Sequence, residues 1–301
     1  MGTLDIDILK KLGKFTNDIK KETIDIVKEN VSFLEVIEFI ENKIIDNGYT
    51  PAFPCTICVN EQAAHFTVYD EDITFKMGDV VKVDFGVCCE GFLTDTAFTV
   101  EVGTDKYKDL LEANKKGLNA AVELVNVGLS MGELGGVVHK IAKEGGFETI
   151  HNLSGHQIGH NDLHCGIHVP NYDNRSNDVV ECGMELAIEP FFTTGDPLIK
   201  EGKPGNILHL NYFKPVRDPI TKRVLDYIVD NYPHLPFSKR WLLKKFDKKK
   251  VNYAVSILKR NNIILEYNVL VSNNNKVISQ FEDTVVFDDN KEKIVITRLE
   301  N

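Results

Sequence analysis

The sequence predicts an α+β protein built as two related halves about a pseudo-twofold axis, with a helical segment inserted into the second half. Three observations carry this expectation. Ser32-Phe33-Leu34-Glu35 and Ser130-Met131-Gly132-Glu133 are capping boxes 98 residues apart, and the helices they open stop at Gly48 and Gly146, again 98 residues apart. Gly78 precedes Asp84 by six residues, and Gly183 precedes Glu189 by six. His65 and His164 stand 99 residues apart. Helices of equal length followed by matched acids point to an internal duplication, and such a chain naturally builds its site where the strands of the halves converge.

Each element has a local reason. Leu9, Leu12, Phe15, Ile19 and Ile26 recur at helical spacing, which predicts an amphipathic helix over roughly residues 5–29. Val36, Ile37, Ile40 and Ile44 mark the buried face of the helix behind Ser32. In residues 80–100, Val81, Val83, Phe85 and Val87 alternate with Lys82, Asp84 and Gly86, the period-two pattern of a strand. The turn of this hairpin is expected near Cys89 and Glu90, with Gly91 supplying a permissive φ, and an even loop centred there sets Asp84 opposite Asp95. Two facing carboxylates repel unless one is protonated or a cation lies between them. Residues 107–126 are again helical in pattern, and Val137, Val138 and Ile141 belong to the helix behind Ser130.

The second hairpin is interrupted. Residues 184–192 should pair with 277–287, yet 212–275 lie between them. That stretch shows helical patterns around 224–231, 238–246 and 251–261, then a strand and the turn Asn273-Asn274-Asn275, which together look like a small winged-helix module. The expected organisation is a main domain of residues 1–211 and 276–301, with 212–275 as the inserted winged-helix-like subdomain.

The 301 residues are 43% hydrophobic and 27% charged, ordinary for a globular protein. No apolar run is long enough to span a membrane, and the N-terminal MGTLDIDILKK has no apolar signal region, so a cytoplasmic location is expected. Ile6 occupies the place where N-myristoylation needs Ser or Thr. The six cysteines, including the Cys55/Cys58 pair, read as small buried thiols rather than half of a zinc site, since no second CxxC exists. The net charge is −10, but residues 238–260 alone carry nine Lys or Arg against Asp247, leaving −18 elsewhere. That basic run is a candidate for RNA contact, or else a solvated helix face.

Five residues stand out as ligands: Asp84, Asp95, His156, Glu189 and Glu282, each in or beside a predicted strand. Four carboxylates and one imidazole suit divalent Mn, Fe, Co or Zn rather than a structural thiolate zinc, and two divalent cations neutralise their charge.

VDFGVCCEGFLTDTAFTV, NLSGHQIGHNDLHCG, MELAIEPF and SQFEDTV resemble the metal-binding segments of the methionine aminopeptidases, and PAFP followed by NEQAAHF resembles their substrate-side histidine segment. LPFSKRWL and the long insert are similar to the type 2 branch, in its archaeal form. The stretch after His65 departs from the family in lacking its usual proline. The resemblance implies a pita-bread fold and a metalloexopeptidase that removes the initiator methionine of nascent proteins through a hydroxide bridging two divalent metals, preferring a small second residue. It further implies that Asp95 and Glu282 bridge the metals, that Asp84 completes one site, and that His156 with Glu189 completes the other. Glu189 then shuttles the proton of the attacking water, His65 contacts the substrate near the scissile amide, His164 stabilises the tetrahedral intermediate, and Phe53 lines the methionine pocket. The implied partners are nascent polypeptide N-termini, and the basic run of residues 238–260 is a candidate ribosome contact; neither membrane nor DNA is expected, and the chain is expected to be a monomer. A pita-bread protein that binds RNA without catalysis is the alternative, and the intact ligand set argues against it. His151, His160, His168 and His209 carry no motif support and receive no role.

Overall fold

The computed structural model describes residues 4–71 and 73–299. The first half opens with helix α1 (Ile6–Ile26), capped by Asp5, whose Oδ1 accepts from the Ile8 amide at 3.0 Å. Helix α2 (Phe33–Asp46) follows, capped by Ser32. Next come strands β1 (Thr56–Val59), β2 (Gln62–Ala64), β3 (Val80–Phe85) and β4 (Thr96–Glu101). In the second half, helix α3 (Lys108–Leu124) and helix α4 (Met131–Glu144), capped by Ser130, precede β5 (Gly155–Gly159), β6 (Asp162–Val169), β7 (Glu185–Ile188) and β8 (Phe191–Thr193). An excursion then runs through β9 (Ile199–Leu210), α5 (Pro219–Asn231), a 3₁₀ turn (Lys239–Lys244), α6 (Lys248–Arg260) and β10 (Ile264–Ser272). The chain returns as β11 (Ile278–Gln280) and β12 (Asp283–Phe287).

The expected duplication is visible element by element. Helices α2 and α4 have 14 residues each, and Gly48 and Gly146 follow them with φ of 82° and 80°. The caps differ in detail. Ser130 Oγ accepts from the Glu133 amide and donates to Glu133 Oε2 at 3.0 Å, whereas Ser32 Oγ accepts from the Leu34 amide, so only the second box engages its glutamate. The sheet β1-β3-β4 of the first half corresponds to β5-β7-β12 of the second, which continues to β6 on one side and Lys293–Val295 on the other. A main-chain bridge between Ala97 and Glu282 joins the two systems, with the Glu282 amide donating to Ala97 O at 3.0 Å. Helices α1 to α4 bury their apolar faces against these strands in one continuous core that includes Leu12, Ile37, Val83, Phe98, Leu134 and Phe287.

The interrupted hairpin is also as expected: β7 pairs with β12 and β8 with β11. The excursion has its own core, where Val224, Ile228, Trp241, Val251 and Leu258 pack on Leu208 and Ile264. Strand β10 pairs with β9 along one edge and with β2 of the first half along the other, so the excursion is tied back to the first half.

One expected register is corrected. The hairpin turn is Glu90-Gly91, both at positive φ (52° and 85°), one residue later than expected. Asp84 therefore faces Ala97, and Asp95 lies two positions along. The thiol expectation is corrected in part: Cys55, Cys58 and Cys88 are buried and Cys182 is exposed.

Candidate metal centre

The strands of both halves converge on a cavity of about 570 Å³ lined by Phe53, His65, Asp84, Asp95, His156, His164, Glu189 and Glu282. All eight residues singled out in the sequence thus surround one space. Strand β3 presents Asp84, and Asp95 sits just before β4. Thr284 of β12 holds Asp95 in place: its Oγ1 accepts from the Asp95 amide at 2.9 Å and donates to Asp95 O at 2.7 Å. From β5, His156 brings Nε2 to 3.5 Å from Asp95 Oδ2 and 3.9 Å from Glu189 Oε1. Ligand atoms of Asp95, His156 and Glu282 lie within 4.8 Å of one another. The His164 ring of β6 lies 4.1 Å from that of His156.

His65 lines the same cavity at φ 69°, a left-handed conformation that a residue with a Cβ adopts only under constraint. The constraint comes from the excursion. A Cβ on Gly205 of β9 would meet His65 O at 1.8 Å, so only glycine permits this approach, and Tyr267 of β10 packs edge-on against the imidazole at 5.2 Å.

The profile of metallopeptidase family M24 matches residues 7–229. The methionine aminopeptidase of Methanocaldococcus jannaschii is 37% identical over 279 residues, covering 92% of this chain and 94% of its own length. The chain belongs to metallopeptidase family M24. Among solved structures, a thermophilic Arx1 covers 99% of this chain and is itself covered to 92%, with a TM-score of 0.82 at 14% identity. The methionine aminopeptidase of Thermotoga maritima covers 96% and is covered to 95%, with a TM-score of 0.68 at 20% identity. These likenesses show the fold, the pita-bread fold of the M24 metallopeptidases.

The donor set fits the divalent metal ions that an M24 metallopeptidase implies. Asp84 Oδ1, both carboxyl oxygens of Glu282 and His156 Nδ1 are buried without a hydrogen-bond partner among the described residues. Orphaned buried acceptors are costly, and a cation satisfies them. Without one, the carboxyls resist ionisation. Burial, then the Asp95 charge, pushes Asp84 well above the ordinary carboxylate range; burial followed by Asp95 and other carboxylates does the same to Glu189 and Glu282. Burial raises Asp95 to about 8. The imidazoles shift the other way: burial lowers His156 to about 4, and burial with His156 and His65 lowers His164 to about 3. Burial also lowers His65. All three are neutral near pH 7, the form that ligates a metal or donates one N–H.

Three residues that sequence reasoning did not single out complete the site. Gln280 Nε2 donates to Asp84 Oδ2 at 3.3 Å and to Glu189 Oε2 at 3.0 Å, joining an acid of each half. Its position two before Glu282 was the available signal, since alternate strand residues share a face. Lys20 of α1, itself buried, donates to Glu282 O at 3.3 Å and Thr96 Oγ1 at 2.9 Å. Glu185 is buried on β7, four residues before Glu189, with Oε1 unpartnered.

The basic segment is partly spoken for. Arg240 bonds to buried Glu41 at 2.8 Å, Lys239 lies over the Tyr69 ring, and Lys248, Lys250 and Lys259 pair with Asp70, Asp247 and Glu266. No helix among the described residues is long and apolar enough to cross a membrane.

Proposed function

We propose that this cavity removes the N-terminal methionine of peptides as a metal-dependent aminopeptidase. The activity is supported by the M24 family match and by methionine aminopeptidase relatives that span almost the whole chain. The observation that carries the reading is the convergence of four buried carboxyls and one imidazole, with unpartnered acceptors, in one cavity.

Two divalent ions of the Mn, Fe, Co or Zn class are the proposed cofactors, and Asp84, Asp95, His156, Glu189 and Glu282 are the residues that would hold them. When bound, such ions supply Lewis acidity and a water acidic enough to lose its proton near neutral pH. The chain's own groups do the rest. Glu189 would take up a proton on a carboxylate oxygen and deliver it to the leaving amine. Neutral His164 donates an N–H to the oxyanion that develops on the scissile carbonyl, and His65 orients the amide from the other wall. Phe53, with Leu163, Phe191 and Ile207 on the same cavity, offers an apolar wall for the methionine side chain.

The finer assignments extend this reading. The long excursion favours the type 2 branch, with residues 212–275 as a winged-helix-like subdomain. A small second residue, nascent chains as substrate, a monomeric state and a cytoplasmic setting follow from the same resemblance. Lys244, Lys245, Lys249 and Arg260 have no ion-pair partner among the described residues and would be the contact for ribosomal RNA.

Chelated protein reloaded with Mn, Co, Fe or Zn should release methionine from Met-Ala-Ser, but neither from Met-Lys-Ser nor alanine from Ala-Pro, and Asp95→Ala should be inactive. Turnover of Ala-Pro instead would reassign the enzyme to proline-directed dipeptides. No turnover with any metal, in folded protein that binds it, would overturn the enzyme reading.

A further inference from the structure

A second group of ligating side chains lies outside the catalytic cavity. His139 is on α4, Glu148 is in the short strand Glu148–Thr149 that follows, and His151 lies two residues beyond that strand. One ligand atom from each falls within 4.8 Å of the other two, and all three residues are half-buried. We propose that His139, Glu148 and His151 form a binding site for one zinc-class divalent ion, distinct from the catalytic centre.

Each side chain is already arranged for this. The two imidazole rings meet at 63° with centroids 5.6 Å apart, so they converge rather than stack. His151 is held by its backbone amide, which donates to Pro197 O at 2.8 Å, and by Tyr172, whose ring stacks on the imidazole at 4.0 Å and 20°. Its Nε2 is buried and has no hydrogen-bond partner among the described residues. A nitrogen in that state costs free energy unless something occupies its lone pair. His139 Nδ1 lies 2.8 Å from Thr149 Oγ1. When Nδ1–H donates to that hydroxyl, the lone pair of Nε2 is left free, the arrangement usual for a ligating histidine. Glu148 pairs through Oε1 with Lys143, and its second oxygen remains available.

The donor chemistry indicates the occupant. Two imidazoles and one carboxylate form a three-ligand set characteristic of zinc with an open fourth position, whereas calcium and magnesium prefer oxygen ligands alone. Zinc–nitrogen bonds of about 2.0–2.1 Å require ligand atoms about 3.3 Å apart. The three ligand atoms already lie within 4.8 Å of one another. A bound ion would tie α4 to the segment 148–151 that leads into Asn152, Leu153 and Ser154 on the cavity wall.

The test uses the full chain stripped with chelator and dialysed against Zn²⁺, with bound zinc counted by mass spectrometry and affinity read by calorimetry. His139→Ala/His151→Ala should hold one equivalent less than the parent. Loss of a ligand should exceed the 10–100-fold effect of losing an outer hydrogen-bond partner, so Glu148→Gln should weaken that same equivalent by more than roughly tenfold. Lys143→Ala should tighten it, because Glu148 loses a competing cation. Circular dichroism checks the fold, and if the double variant fails that check, Glu148→Gln and His151→Gln decide the question. Parent-like stoichiometry and affinity in folded variants would overturn the site.

Discussion

In the first half of the molecule, the hairpin carrying Asp84 and Asp95 closes through two residues, Glu90 and Gly91. In the second half, the matching hairpin opens after Thr193 and returns only at Ile278. The helices beneath are alike, both 14 residues and both capped by serine. What the second half loses in a tight turn, the first half gains as support: the excursion sends β10 across to pair with β2, places Gly205 under His65 and sets Tyr267 against its ring. A duplicated scaffold can thus keep its cavity acids in both copies while one copy's loop is reused to brace His65 in the other.

The two histidines 99 residues apart should separate these roles most sharply. His164 lies beside His156 and the cavity acids, and His65 is held from the excursion side. His164→Ala should lower kcat by roughly 10²–10³, the scale for removing one oxyanion donor, with little change in KM. His65→Ala should act more on KM. Steady-state kinetics on Met-Ala-Ser measures both, and equal kcat losses would erase the distinction between the halves.

Gln280 probes the seam. One amide holds Asp84 of the first half and Glu189 of the second. Gln280→Ala should weaken metal affinity or activity by roughly 10–100-fold, as for other residues that orient ligands from behind. Metal titration followed by activity at saturating metal reads this, and full rescue by excess metal would assign Gln280 to metal retention rather than to the proton path of Glu189.

The sequence made the duplication legible because capping serines, terminal glycines and strand acids are local signals, each determined within a few residues. The strand positions of the acids and the histidine that line the cavity were legible for the same reason. The Asp84–Asp95 register was not, since a one-residue error in the turn centre moves the facing pair by two positions. Tyr267 and Gly205 carried no signal at all: their roles depend on β10 meeting β2 some 200 residues earlier in the chain, and no periodicity encodes that. Likewise His139 and His151 read as unremarkable singly, because their rings meet only through the packing of α4 on residues 148–151.

The electrostatic contrast between the centre and the rest of the chain gives the smallest expected effect. In the metal-free protein Asp95 titrates near 8 instead of its ordinary 3.8, because it is buried, and Asp84, Glu189 and Glu282 shift in the same direction. A carboxyl with a raised folded pKa binds its proton more tightly in the native state. Its contribution is therefore complete below about 4 and lost as pH rises through about 8. His156 and His164 have depressed values and oppose this only below their ordinary 6.5, where the unfolded chain binds more protons. Buried Lys82, lowered to about 8, adds stability only as pH climbs beyond that value. Between pH 6.5 and 8 the carboxyls act alone, and one proton is worth about 1.4 kcal/mol per pH unit. Asp95 alone should cost the metal-free protein on the order of 2 kcal/mol across this window, several degrees in Tm. Metal-loaded protein should show a flat Tm, since bound cations keep the carboxylates ionised throughout. Equal slopes with and without metal would mean that Lys20 and the main chain, not cations, balance the charge of the centre.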